Sequence, residues 1–456
     1  MASMKTTSRQ AATMRFCPWA RTMGRAAAVL ACLFLLGVCA YGCSRRAPEP
    51  APPVATPAPP ATARVQRTAP PPGPSHIAFL LPMNGPYAPF ARRILGGAHA
   101  ARAHIAGAGI PLSISVVDTT IEDWQASFDA LPPDVRLVGG PMRPEILAAA
   151  LSSRGSRGRA VVAFMSELPE AVVSETGAAR PIVEGRDAWR FFTSPEDNIR
   201  ALLAGARAVG VTDLGVLYPE EPFGRRRAAL FRRMAAAEGA YVATAGYAPN
   251  DPEQWARSTS RLLESGRADG RELGGVYIPD GWSKARMLIP NLLVQQKRRS
   301  LVLGSALWTQ TQDVRNRDEA LLFNRSVYPG AWWGENDANP ARALRDAMAA
   351  SGTREAGYWE ALGFDFVRLA GRMADLPMYV PPEAVTAAFQ RAAAMDWAMA
   401  PMRWNADGRA SQDLYLFTPA LYGPMRADLQ ALRGMLGNQP AGAAPPASPA
   451  ASTVAD

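Results

Sequence analysis

From residue 76 onward, short apolar runs alternate with longer amphipathic stretches. The first run, 76–81 (HIAFLL), stops at Pro82 and the turn residues Asn84, Gly85 and Pro86, and 89–105 then has helical spacing. Further runs at 112–118 (LSISVVD), 135–139 (VRLVG) and 159–165 (RAVVAFM) read as strands, with a helix starting at Pro144 between the last two. Strands this apolar are buried on both faces, and their alternation with helices is the pattern of βαβ units in a parallel sheet. The pattern then restarts. Residues 189–192 lead into a helix over 195–209, where Ser194 supplies a cap and Pro195 an early helical position. Strands follow at 213–218, 240–246, 274–279 and 301–304, separated by helices at 222–238, 252–264 and 283–296, the first of these stopped by Gly239. Two successive sets predict an α/β protein of two similar lobes, which suits a chain of 456 residues. In open parallel sheets ligands sit off the carboxyl ends of the strands, so two lobes facing each other there enclose a cleft.

The flanking segments have a different composition. Residues 44–75 are dense in proline, which blocks helix and sheet and favours extended polyproline II. At about 3.1 Å per residue such a tether reaches on the order of 80–100 Å. Residues 437–456, rich in Ala and Pro, are expected to be a disordered tail. Upstream, Arg15, Arg21 and Arg25 precede 19 uncharged residues, 26–44, the pattern of a secretory signal. The net charge of +9 resides almost wholly here: residues 1–75 hold nine of the 49 Lys and Arg but only one of the 40 acids, Glu49. The remainder is nearly neutral, which removes the electrostatic case for a nucleic-acid partner. All four cysteines, Cys17, Cys32, Cys39 and Cys43, lie in this leader, so the body has no internal disulfide and no thiol nucleophile or thiolate ligand.

The break at Ala40-Tyr41-Gly42-Cys43 resembles the lipobox of bacterial lipoproteins, in which the signal is cut before a cysteine that receives diacylglycerol. Ala40 and Tyr41 depart from the usual Leu and small residue, and Cys39, after Val38, fits less well. An uncleaved membrane anchor is the competing expectation, since the apolar stretch nearly spans a bilayer. Both put the body outside the cytoplasm, facing the periplasm. Ser44 after the cysteine, rather than Asp, favours the outer membrane over the inner on the same resemblance. Met14 and Met23 are alternative starts.

The body resembles the type I periplasmic binding proteins, particularly leucine-binding proteins and penicillin-binding protein activators. The segments that carry the resemblance are IAFLLPMNGPY from Ile77, VGGP from Val138, RFFTSPEDN from Arg190, GVLYPEEPFG from Gly215, GVYIPD from Gly275, LGSALW from Leu303, FDFV from Phe364, NADGR from Asn405 and LYLF from Leu414. It implies two Rossmann-like lobes with parallel sheets, a hinge of three crossings and a ligand in the cleft. The expected organisation is a signal over 1–42, lipidated Cys43 with its tether over 43–75, a bilobed domain over 76–436 and the tail. One lobe is expected from 76–192 with 308–400, the other from 193–307 with 401–436.

Loops after strands supply the candidate ligand contacts: Asn84 and Tyr87, Met142 and Arg143, Ser166 and Glu167, Tyr218 and Phe223, Asp280 and Trp282, and Trp308. Family members that bind amino acids use hydroxyl residues with backbone amides for the carboxylate and an acid for the ammonium. On the resemblance, Ser166 and Asp280 fill those roles. Met142-Arg143 departs from the pattern, because a small hydroxyl residue is expected there; Arg143 either clamps an anion through its fork of donors or is solvated. Trp332-Trp333 is expected in the core or at the lobe interface, and Arg225–Arg227 with Arg232 and Arg233 on a solvated helix face. Gly96-Gly97, inside a helix, eases close packing.

Catalytic chemistry lacks parts. The three histidines, His76, His99 and His104, do not share a helix face, and no phosphate-loop, dinucleotide or nucleophile-elbow motif is present. No metal or cofactor is expected, and no enzyme. Two functions remain. One is a solute-binding lipoprotein for an amino acid-like ligand, working with an ABC transporter membrane complex or as a sensor. The other is an outer-membrane activator of a peptidoglycan synthase, although such activators often carry an added helical-repeat domain that has no counterpart here.

Overall fold

The computed structural model describes residues 75–173, 179–296, 300–352, 355–373, 376 and 381–437. The signal, Cys43, the tether and almost all of the tail lie outside the described residues.

The first lobe is built on five parallel strands in the order β2-β1-β3-β4-β7. These are β1 (Ser75–Leu81), β2 (Leu112–Asp118), β3 (Val135–Gly139), β4 (Ala160–Ala163) and β7 (Trp189–Arg190); β5 (Ala171–Val173) and β6 (Ala179–Pro181) form a separate antiparallel pair. Helices α1 (Ala88–Gly107), α2 (Trp124–Asp129) and α3 (Pro144–Ser152) connect the strands. The chain then crosses to the second lobe through Phe192 and Thr193. Helix α4 (Pro195–Ala208) opens with the cap expected at Ser194: the Ser194 hydroxyl accepts the Asp197 amide at 3.0 Å and the Asp197 carboxylate accepts the Ser194 amide at 2.9 Å.

The second lobe alternates β8 (Asp213–Pro219), α5 (Pro222–Ala237), β9 (Tyr241–Tyr247), α6 (Trp255–Ala268), β10 (Gly275–Ile278), α7 (Trp282–Gln295) and β11 (Leu301–Gly304). Short helices α8 (Trp308–Thr311) and α9 (Arg317–Leu322) lead to β12 (Ser326–Gly330). The chain returns to the first lobe for α10 (Asn339–Ala350), α11 (Tyr358–Gly371), α12 (Pro382–Ala392) and the pair β13 (Met402–Trp404) and β14 (Ala410–Gln412). It crosses a third time into β15 (Tyr415–Ala420), β16 (Gly423–Arg426) and α13 (Leu429–Leu436). The second sheet runs β16-β15-β12-β11-β10-β8-β9; β15 and β16 join it antiparallel. The two sheets and three crossings are those the resemblance implied.

The crossings differ from expectation in place. Residues 308–330, expected in the first lobe, belong to the second: Trp308, Phe323 and Tyr328 sit in its core. Trp308 lies flat over Gly304, where a Cβ would stand 2.6 Å from the ring, so it must stay with β11. Residues 402–412, expected in the second lobe, pack into the first, where Trp404 stacks on Phe389 of α12 at 4.7 Å.

The first core centres on Phe79, Phe164, Phe191 and Phe366, with edge-to-face contacts such as Phe164–Phe366 at 5.1 Å. Helices α1 and α11 cross in close contact. A Cβ on Gly97 would lie 1.8 Å from the Glu360 carbonyl oxygen, which is the close packing expected of Gly96-Gly97. That contact fixes where α11 begins, and α11 begins at the cleft.

Candidate functional site: a cavity between the lobes

A cavity of about 670 Å³ opens between the lobes, within the range of small-molecule sites. The first lobe contributes Arg93 on α1, Ser166 after β4, Phe192 after β7 and Ala356 to Trp359 at the start of α11. The second contributes Asn198 on α4, Phe223 and Arg227 on α5, Ser305 to Leu307 after β11, and Phe417 on β15. Thr193 and the segment Gly330 to Trp332 line it where the chain crosses between lobes. Most of the wall is therefore strand carboxyl ends and helix starts, the position that parallel sheets favour for ligands.

Two arginines set the polar character. Arg93 donates from Nε and Nη2 to the two oxygens of Glu360, at 2.7 and 2.8 Å, a bidentate pair. Glu360 is only 3% exposed, and its Oε2 also accepts the Gly357 amide at 3.1 Å. That bond shapes the first turn of α11 and so positions Tyr358 and Trp359. Arg227 lies 5.1 Å over the Phe223 ring, and its Nη1 donates to Glu167 of the opposite lobe at 3.0 Å. This ion pair crosses the cleft.

The hinge borders the cavity directly. Thr193 Oγ1 donates to Gln412 Oε1 at 2.6 Å, joining the first and third crossings. Tyr358 is hydrogen-bonded to Thr193, and burial pushes its phenol above the ordinary range. Phe192 packs edge-on to Tyr358 at 5.6 Å and against Trp359 at 5.8 Å. Among the described residues no carboxylate lines the cavity; Glu360 and Glu167 are each engaged by an arginine.

Of the eleven ligand contacts expected from the sequence, Ser166 and Phe223 line this cavity and the other nine do not. Glu167 stands beside it as the partner of Arg227. Asp280, assigned to an ammonium, instead accepts the Tyr247 hydroxyl and the Gly281 amide. Trp308, and likewise Trp282, is buried in the second core; the Trp308 indole donates to the Asp280 carbonyl at 2.9 Å. Asn84 bridges Asp118 and Thr120 at 3.1 Å each. Tyr87 is exposed at the start of α1, and Met142 packs on the first core. Arg143 pairs with Glu145 in the first turn of α3, and Tyr218 packs on the second lobe's core. These side chains follow strands, but the pleat or the turn directs them to core or solvent. Arg225 and Arg226 are solvated as expected; Arg227, on the same run, is not, because it faces the cleft. Trp332 packs on the first core and Trp333 on the second, with Arg426 5.0 Å over the Trp333 ring. Arg93, Arg227, Tyr358 and Trp359 were missed; the only local sign was the spacing of Gly357 and Glu360 as a helix start.

Two lobes of parallel sheet, joined by three crossings around a lined cleft, decide the architecture. The fold is that of the type I periplasmic binding proteins. No family model matches the chain, and no curated protein matches it in sequence. Solved structures match across the body. A putative branched-chain amino acid ABC transporter protein from Rhodospirillum rubrum is 15% identical, with a TM-score of 0.58 over 78% of this chain and 100% of its own. The C-domain of LpoA from Haemophilus influenzae, a regulator of PBP1A, is 16% identical, with a TM-score of 0.56 over 78% and 100%. An ABC transporter substrate-binding protein from Desulfitobacterium hafniense, in complex with Leu, is 14% identical, with a TM-score of 0.55 over 77% and 99%. Only 59% of full-length LpoA is covered. Among its solved neighbours this fold thus includes both ABC transporter substrate-binding proteins and a regulator of PBP1A.

Proposed function

We propose that this chain is an extracytoplasmic lipoprotein that holds a small organic solute between its lobes, for delivery to a membrane transporter or for sensing. One observation carries the reading: a cavity of ligand size lined from both lobes, with Glu167 and Arg227 paired across its edge. A solute that touches both walls makes more contacts when the lobes are closed, and that difference is what drives closure about the hinge. Periplasmic placement and the lipid anchor rest on the leader, with Cys43 as the lipidated residue. The deciding experiment is mass spectrometry of small molecules released from the purified full chain, paired with calorimetry against amino acids, peptides and peptidoglycan fragments. Absence of any released compound and of any binding by folded protein would overturn the reading.

A second reading is favoured by the match to all of the LpoA C-domain: activation of a peptidoglycan synthase by protein contact from the outer membrane. A pull-down from membranes separates the two. Recovery of a glycan synthase supports activation, and recovery of transporter subunits supports solute delivery.

A further inference from the structure

We infer that the cavity takes a small organic anion with an apolar body and no ammonium group, held by Arg227 and Arg93. This rests on the solute-binding reading and narrows its ligand. The polar atoms of the wall are unbalanced. Among the described residues Arg227 uses only Nη1, on Glu167, which leaves Nε and Nη2 without a partner although the side chain is just 15% exposed. Arg93 uses Nε and Nη2 on Glu360, which leaves Nη1. The Ser166 hydroxyl lines the wall and makes no hydrogen bond among the described residues, so it can turn to donate or to accept. The wall's hydroxyls, such as Ser166 and Tyr277, can donate or accept, but its fixed charges are the two guanidinium groups, which only donate.

A carboxylate accepts only, and an ammonium donates only. The first answers the surplus of donors. The second adds three more donors to a wall that, among its described residues, has no carboxylate. Asp280, the acid that an amino acid's ammonium would need, is occupied by Tyr247 and Gly281 away from the cavity. Glu167 is no obstacle to the anion. It is exposed, 56% open, and belongs to the opposite lobe, so solvent competes for its carboxylate. The planar fork of Arg227 can therefore turn an unoccupied edge to a ligand carboxylate. The rest of the wall, including Phe192, Phe223, Trp332 and Phe417, suits an apolar body.

The test is calorimetry of the full chain with matched probes: 3-phenylpropanoate, L-phenylalanine and 2-phenylethylamine, and 4-methylpentanoate beside L-leucine. The acids are expected to bind at least about tenfold tighter than their amino counterparts. Arg227→Gln is expected to weaken acid binding by on the order of tenfold to a hundredfold, the worth of a hydrogen bond to a charged group. Its thermal unfolding should stay at the wild-type temperature, and Arg227→Lys should restore part of the affinity. Tighter binding of an amino acid or amine overturns this inference and leaves solute binding standing. A second arm identifies compounds released from the purified chain: an acid without an ammonium group supports the inference, and any ammonium compound overturns it. If no probe binds and nothing is released, this inference and the solute-binding reading fall together.

Discussion

Replacing Gly97 by alanine tests the contact that positions one wall of the cavity. A Cβ there would stand 1.8 Å from the Glu360 carbonyl oxygen, 2.6 Å from its carbon and 2.9 Å from Cα. Favourable carbon contacts lie at about 3.5–4.0 Å, and these are backbone atoms that cannot rotate away. Helix α11 must therefore move by more than an ångström, carrying Glu360, Tyr358 and Trp359 with it. Overpacking costs about 1–3 kcal/mol, and a 1.8 Å clash against backbone puts this position at the upper end, about 3 kcal/mol. The higher helix propensity of alanine returns about 1 kcal/mol, so Gly97→Ala should lose about 2 kcal/mol net. Gly96 is the control, since a Cβ there meets nothing nearer than Met348 Cε at 3.8 Å. Gly96→Ala should therefore gain up to about 1 kcal/mol. Urea unfolding of the full chain, followed by tryptophan fluorescence, reads both values. Wild-type stability for Gly97→Ala, or shifts of the same sign at the two positions, would refute the reasoning.

Other positions give sharp expectations. Trp308→Ala should destabilise by about 3–5 kcal/mol in the same assay, because the ring is wholly buried between Gly304, Trp282 and Tyr328; a loss below about 1 kcal/mol would show that it is not a core residue. Asp365 is fully buried, and desolvation pushes its carboxyl up to about 6 despite Arg368 and the amides of Met399 and Ala398. A folded value above the ordinary 3.8 means the folded state holds the proton more tightly, so this group's contribution is full below 3.8 and is lost as pH rises through about 6. The stability difference between wild type and Asp365→Asn should thus fall by roughly 3 kcal/mol over that window, and a difference that grows with pH refutes it. Arg93→Ala should cost about 3–5 kcal/mol, since it leaves the Glu360 carboxylate buried without its charge partner. Cys43→Ser should abolish incorporation of radiolabelled fatty acid; continued labelling would move the anchor elsewhere.

The cavity wall shows how much of the site was legible. Ser166 and Phe223 were found because loops after parallel strands point to the cleft as a rule. Asp280 obeys that rule in position but not in direction: Tyr247, 33 residues upstream, captures its carboxylate. Arg227 was read as one of a solvated run, since helical spacing alone does not say that the opposite lobe presents Glu167 to it.

By itself the sequence determined the alternation of strands and helices, and with it two parallel-sheet lobes. Periodicity is a local property, and the cap at Ser194, the glycine stops and the apolar runs are all read within a few residues. Only the tertiary structure decided where the lobes divide and what lines the cleft. Arg93 and Glu360 are 267 residues apart, and β15 reaches its sheet only after the chain has left the second lobe and returned. Such contacts depend on how two helices pack and how the chain closes long loops, and neither leaves a periodic trace in the order of the amino acids.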